Sequence, residues 1–199
     1  MNEAYIKEMY PEVRDQKMQP CKECMIAKSA KSRVKKQSDE TTKTGELGEC
    51  VASDLKQMFG PGSGGKRWMG SAIETTCRYA LIVCTATKGE FADHWANIVK
   101  WFKTQLGKPF KIWRTDGGKE LDNHKTDQIN REEGIQHSVT APNSSKKNPI
   151  AERWNRTAGE GIAAMLLTAM MTTYWWVEAA QYWVHACTST TGHHTGHWE

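Results

Sequence analysis

The order of apolar patterns after Gly48 constrains this chain more than any other feature. Three short runs come first, around Cys50–Leu55, from Arg67 to Glu74, and from Tyr79 to Thr85, with a Gly/Pro/Ser-rich turn (60–65) after the first. Cys50, Ala52 and Asp54 fall on one face of the first run, Val51 and Leu55 on the other, which is the period of a strand. Tyr79–Thr85 is apolar enough for a buried strand, and the short connections predict an antiparallel meander. A helix follows. Phe91, Trp95, Ile98, Val99, Phe102 and Leu106 form one apolar stripe, Thr87 and Glu90 have capping-box spacing, and Gly107 and Pro109 supply the stop. Phe110–Thr115 reads as a strand ending at Asp116-Gly117-Gly118. A polar helix over about 121–133, a short strand Ile135–Thr140, and two helices from Pro149, separated near Thr172–Tyr174, complete the chain.

The order β-β-β-α-β-α-β-α-α predicts an α/β fold, a mixed five-stranded sheet flanked by helices, as in ribonuclease H-like folds. With 199 residues, 38% hydrophobic and nine of them tryptophan, the chain can build a core, which excludes a wholly disordered protein. The first 47 residues read as a separate irregular segment, and 48–199 as the folded core with its C-terminal helices. The N-terminus has no apolar signal-peptide segment. Gly161–Val177, free of charge, is short, threonine-containing and bounded by Glu160 and Glu178, so no membrane span is expected. Six irregularly spaced cysteines do not make a secreted disulfide framework. The expected location is intracellular, nuclear or cytoplasmic. A net charge of +4 permits a nucleic-acid partner without requiring one.

Three acids fall where such a fold would gather them. Asp54 is near the end of the first strand, Asp116 ends the fourth at a glycine turn, and Glu152 lies in the first turn of a helix, 36 positions after Asp116. Converging carboxylates repel one another unless divalent cations neutralise them. Two such ions can activate a nucleophile and stabilise a leaving oxygen at phosphorus. Glu152, Asn155 and Arg156 stand at i, i+3 and i+4 and are expected to share a face. Ala151, Trp154, Ala158, Ile162, Met165 and Ala169 form the expected buried face. Arg156, one turn beyond Glu152, is placed to hold a DNA phosphate. Glu74 and Glu120 are expected to be structural or peripheral.

These residues sit in contexts that resemble the integrase of copia-type retrotransposons, within the retroviral integrase superfamily. The resemblance is carried by Ser53-Asp54-Leu55 with Gly60-Pro61, by Arg114-Thr115-Asp116-Gly117-Gly118-Lys119-Glu120-Leu121, and by Gly134-Ile135-Gln136-His137-Ser138 with Ala141-Pro142. It continues through Asn148-Pro149-Ile150-Ala151-Glu152-Arg153-Trp154-Asn155-Arg156-Thr157, Met165-Leu166 and Trp176-Val177-Glu178-Ala179-Ala180. It implies metal-dependent polynucleotidyl transfer, in which a 3′-hydroxyl of element DNA attacks a target phosphodiester. Asp54, Asp116 and Glu152 would then be the catalytic acids and the ligands of two Mg²⁺ or Mn²⁺ ions. Asn155, Arg156, Lys146 and Lys147 would contact DNA, and the working form would be a homo-oligomer with no membrane partner. Two alternatives stay open: a nucleic-acid-binding relic without catalysis, and a ribonuclease H-type nuclease.

Cys21 and Cys24 look like half of a zinc site. The family implies a module pairing two such cysteines with two upstream histidines, but the first histidine here is His94. The expectation is therefore an incomplete Zn²⁺ site. The basic run at 28–36 suits either a solvated surface or phosphate contacts. His193, His194 and His197 are not expected to bind metal.

Overall fold

A computed structural model describes residues 21–27, 45–118, 120–139 and 148–190. The elements in order are helix α1 (Lys22–Ala27) and strands β1 (Cys50–Gln57), β2 (Trp68–Glu74) and β3 (Ala80–Thr85), then helix α2 (Phe91–Leu106). Strand β4 (Ile112–Thr115), helix α3 (His124–Glu133), strand β5 (Gln136–Val139) and helices α4 (Pro149–Thr168) and α5 (Trp176–Thr190) follow. They make one mixed sheet in the order β3-β2-β1-β4-β5. The β1–β2 and β2–β3 pairs are antiparallel, and the β1–β4 and β4–β5 pairs are parallel. This is the expected ribonuclease H-like arrangement.

Strand alternation divides the core in two. Val51 and Ala72 face α2 and α3, packing with Phe91, Trp95, Ile98, Phe102, Phe110 and Trp113. Their neighbours Ala52 and Ile73 point the other way, to Ile150 and Ala151 of α4. Beside them Met69 packs on Ala158, Ile162 and Leu166 of α4 and on Trp176 of α5. Trp95 centres the first layer. Its ring stacks on Trp113 at 4.0 Å, and its indole N–H donates to Asn130 Oδ1 at 2.9 Å, so the buried polar atom is satisfied.

Helix ends show which local signals act. Gly107 and Gly134 stop α2 and α3 in the left-handed conformation, with φ of 70° and 69°. The capping box expected at Thr87 and Glu90 is not formed at the α2 terminus, where Glu90 is itself the cap and makes no side-chain cap bond. Instead the Glu90 carboxylate accepts from the Thr87 N–H and hydroxyl and from the Ala86 N–H, closing the preceding loop. A reciprocal capping box occurs at α3, between Asn123 and Thr126.

Parity places the site. Ala52 pairs with Arg114 across the parallel β1–β4 ladder. Asp54 and Asp116 are each two residues further along, on the face that α4 covers.

Candidate active site

Asp54 is half-buried near the end of β1. Its Oδ1 accepts the Leu55 N–H at 2.8 Å, and its Oδ2 accepts from Asn155 Nδ2 at 2.9 Å. Burial pushes its pKa above the usual carboxylate value, the Asn155 and Leu55 hydrogen bonds oppose the rise, and the Asp116 and Glu152 carboxylates add to it. The Asp116 and Glu152 carboxylates thus lie near enough for their charges to bear on Asp54.

Asp116 follows β4 and is exposed, its Oδ1 accepting from the Gly118 N–H at 3.2 Å. Gly117 between them has φ of 82°, a conformation that glycine adopts without strain. Glu152 is exposed in the first turn of α4, and Pro149 is tolerated at the start of that helix because it has no N–H to satisfy there. Asn148, only 1% exposed, joins the three elements: its Nδ2 donates to the Ser53 carbonyl at 3.0 Å and reaches the Arg114 carbonyl at 3.5 Å. Its own carbonyl accepts the Glu152 N–H at 3.1 Å. Asn148 therefore ties β1 and β4, through its side-chain amide, to the turn that carries Glu152, through its main-chain carbonyl.

The expectation for Asn155 needs correction. It does not share the exposed face of Glu152 and Arg156, but is 2% exposed and bonded to Asp54. The buried stripe of α4 runs through Ile150, Ala151, Asn155, Ala158, Gly159, Ile162 and Leu166, whereas Trp154 and Met165 are half-buried and Ala169, just beyond the helix, is exposed. Arg156 is exposed. Lys56, on the Asp54 face of β1, donates to the Asn155 carbonyl at 3.0 Å. Glu74 is fully buried and Glu120 pairs with Lys88 at 2.9 Å, so neither joins the acids. Lys146, Lys147, the Cys24 side chain, the 28–36 run and His193, His194 and His197 lie outside the described residues. Cys21 is exposed and its thiol donates to Glu23 at 3.3 Å.

The donor chemistry of Asp54, Asp116 and Glu152 fits Mg²⁺ or Mn²⁺, since all are carboxylates and none is in an ion pair among the described residues. Among the described residues the buried Oδ1 atoms of Asn148 and Asn155 have no hydrogen-bond partner. A tighter group of donors lies apart. Among the described residues, Asp122, Asp127 and His137 bring ligand atoms within 4.8 Å of one another, a closeness the three acids do not reach. The His137 ring stacks on Trp113 at 4.3 Å, and its Nε2 is 2.9 Å from the Thr115 hydroxyl. Burial lowers the His137 pKa, against the pull of Asp122 and Asp127. The sequence gives little warning of this group, because its members lie on a turn, a helix and a strand.

No protein-family profile matches the chain. The retrovirus-related Pol polyprotein from transposon TNT 1-94 of Nicotiana tabacum is 27% identical over 165 residues, which are 82% of this chain and 12% of that polyprotein. The chain thus spans a small part of the curated relative's length. The HTLV-2 integrase catalytic core domain, solved in complex with magnesium in a trimeric form, matches with a TM-score of 0.53 at 15% identity, over 70% of this chain and 85% of that one. The simian T-cell lymphotropic virus intasome in complex with PP2A regulatory subunit B56 gamma matches with a TM-score of 0.56 at 12% identity, over 69% of this chain and 47% of that one. The solved structures show the fold, that of integrase catalytic cores. The chain is thus similar in sequence to a part of a retrotransposon Pol polyprotein and in fold to retroviral integrase catalytic cores.

Proposed function

For a chain similar in sequence to a retrotransposon Pol polyprotein and in fold to integrase cores, we propose DNA strand transfer: attack of a 3′-hydroxyl of element DNA on a target phosphodiester. The observation that carries this reading is the placement of Asp54 and Asp116 near the ends of two neighbouring parallel strands, with Glu152 in the first turn of α4, the helix whose Asn155 is bonded to Asp54. When bound, divalent cations supply charge neutralisation and activation of the attacking hydroxyl. Asp54, Asp116 and Glu152 are the residues that would hold them. Asn155 fixes the Asp54 carboxylate through its amide, and Asn148 fixes the backbone beneath Asp54 and Asp116. Arg156, exposed one turn beyond Glu152, would neutralise a DNA phosphate, joined by Lys146 and Lys147 before the helix. Such contacts read the backbone, so base preference would be weak. Assembly as a homo-oligomer on DNA is part of the proposal, since the neighbours include a trimeric core and an intasome. Among the described residues no helix is long and apolar enough to cross a membrane.

The test is joining of a branched oligonucleotide in Mn²⁺ by this chain and by Glu152→Gln. Joined product that disappears in the variant supports strand transfer. No product from a folded chain that still retains DNA would instead select a binding relic. Cleavage of RNA–DNA hybrids without joining would select a nuclease.

A further inference from the structure

Lys56 follows Asp54 by two positions on β1 and so shares its face of the sheet, toward α4. A half-buried ammonium needs hydrogen-bond partners. Its Nζ donates to the main-chain carbonyl of Asn155 at 3.0 Å, across 99 positions of sequence. The lysine lies over Gly159: a Cβ there would meet Nζ at 2.5 Å and Cε at 3.1 Å. Gly159 is inside α4 and has no positive φ, so backbone freedom does not require it. A glycine in a helix interior costs roughly 0.5–1 kcal/mol relative to alanine. The space it leaves is the seat of Lys56. Asn155 is thus held by its carbonyl from Lys56, while its Nδ2 holds Asp54 Oδ2 at 2.9 Å. Asp54, Lys56 and Asn155 form a closed circuit between strand and helix.

We propose that Lys56 is a positioning residue for the acidic centre: seated over Gly159, its ammonium fixes the turn of α4 that presents the Asn155 amide to Asp54. Its consequence for turnover rests on the strand-transfer reading, and its geometry does not. Lys56 holds the main chain of Asn155 rather than DNA, so its loss acts on the rate of the chemical step and spares DNA binding.

Two substitutions break the circuit from opposite sides. Lys56→Met keeps the stem and removes the donor, whereas Gly159→Ala keeps the donor and takes its seat. The full chain, labelled with ¹⁵N, is compared with both single variants and the double variant. The Asn155 side-chain amide resonances, identified by their loss in Asn155→Asp, shift in each single variant and reach the same position in the double. In the Mn²⁺ joining assay each single variant turns over roughly tenfold to a hundredfold more slowly, with KM for DNA little changed. The double variant is no slower than the worse single. Asn155 amide resonances that stay in place in Lys56→Met overturn the proposal, as do losses that multiply in the double variant. A wild-type chain that joins nothing overturns the strand-transfer reading instead, and the amide resonances still decide the role of Lys56.

Discussion

Asn155 and Asp54 are 101 positions apart in sequence, yet the amide of one lies 2.9 Å from the carboxylate of the other. This contact joins β1 to α4 at the acids, and it orients a carboxylate whose burial disfavours the charged form. A hydrogen bond to an ionised acceptor contributes about 1.5–3 kcal/mol, more than a neutral one. Asn155 therefore both aims Asp54 and keeps it ionisable.

Replacing Asn155 with Ala removes that donor while leaving Ala151, Ala158 and Ile162 to pack as before. Asp54 should then titrate at higher pH than in the wild type, because the Asn155 bond is the larger of the two hydrogen bonds that oppose the effect of its burial. The change is read from the Asp54 carboxyl carbon by NMR. An unchanged midpoint would mean that the contact does not act on ionisation. A loss of stability of about 1 kcal/mol is expected, since the partnerless buried Oδ1 disappears with the donor.

Asp54 also sets a pH dependence of stability. Its folded-state pKa is raised, so the folded state holds that proton more tightly than the unfolded chain does. The resulting stabilisation is fully present below the ordinary carboxylate value and is lost as pH rises through the raised one. At pH 7 the ionised group is a net cost. Asp54→Asn should raise Tm at pH 7, with the difference shrinking in acid. Mn²⁺ should raise the wild-type Tm in proportion to RT ln(1 + [Mn²⁺]/Kd), and should do so less in the variant. Thermal melts at two pH values, with and without Mn²⁺, check both statements. An equal Mn²⁺ effect in both proteins would place the ion elsewhere, with Asp122, Asp127 and His137 the first group to examine.

Much of the fold was legible because the strands and α2 declare their period. The Phe91–Leu106 stripe buries Phe91, Trp95, Ile98, Val99 and Phe102, as its spacing predicts. Asp54 and Asp116 were legible from strand ends and glycines. Asn155 was not, because i, i+3 and i+4 spacing fixes neighbours on a helix but not the width of its buried face, and α4 packs Asn155 inward against β1. The seat of Lys56 on Gly159 depends on two elements meeting, so neither residue announces it alone. At α2 the Thr87 spacing suited a cap, but the Glu90 carboxylate is engaged by the loop before the helix.

Gly70 in β2 is a packing glycine rather than a turn glycine. A Cβ there would lie 2.3 Å from Phe91 Cδ2 and 3.1 Å from Leu55 Cδ2, and Phe91 is fully buried. Gly70→Ala should destabilise the domain by about 1–3 kcal/mol, the range for overpacking a dense core. Urea denaturation should show a lower midpoint with an unchanged slope. A midpoint equal to the wild type would mean that Phe91 can move aside at no cost.

Glu74 is fully buried and ties the β2–β3 turn to the segment before β1 through three main-chain donors. Its Oε1 accepts the Gly48 N–H at 3.1 Å, and its Oε2 accepts the N–H groups of Thr76 and Cys77 at 2.8 and 2.6 Å. Each N–H left unsatisfied in a buried place costs about 1–3 kcal/mol. Glu74→Ala should therefore cost about 3 kcal/mol, because it removes the acceptor of three main-chain donors at once, that of Gly48 in a buried place. Glu74→Gln keeps one carbonyl oxygen, so it should lose part of the set and fall between Ala and wild type. Glu74 lies outside the acidic centre, so neither variant should alter the Mn²⁺ dependence of Tm beyond its effect on overall stability. Chemical denaturation of the three proteins gives the ranking. Equal stability of the Ala and Gln variants would show that the three hydrogen bonds do not hold these segments together.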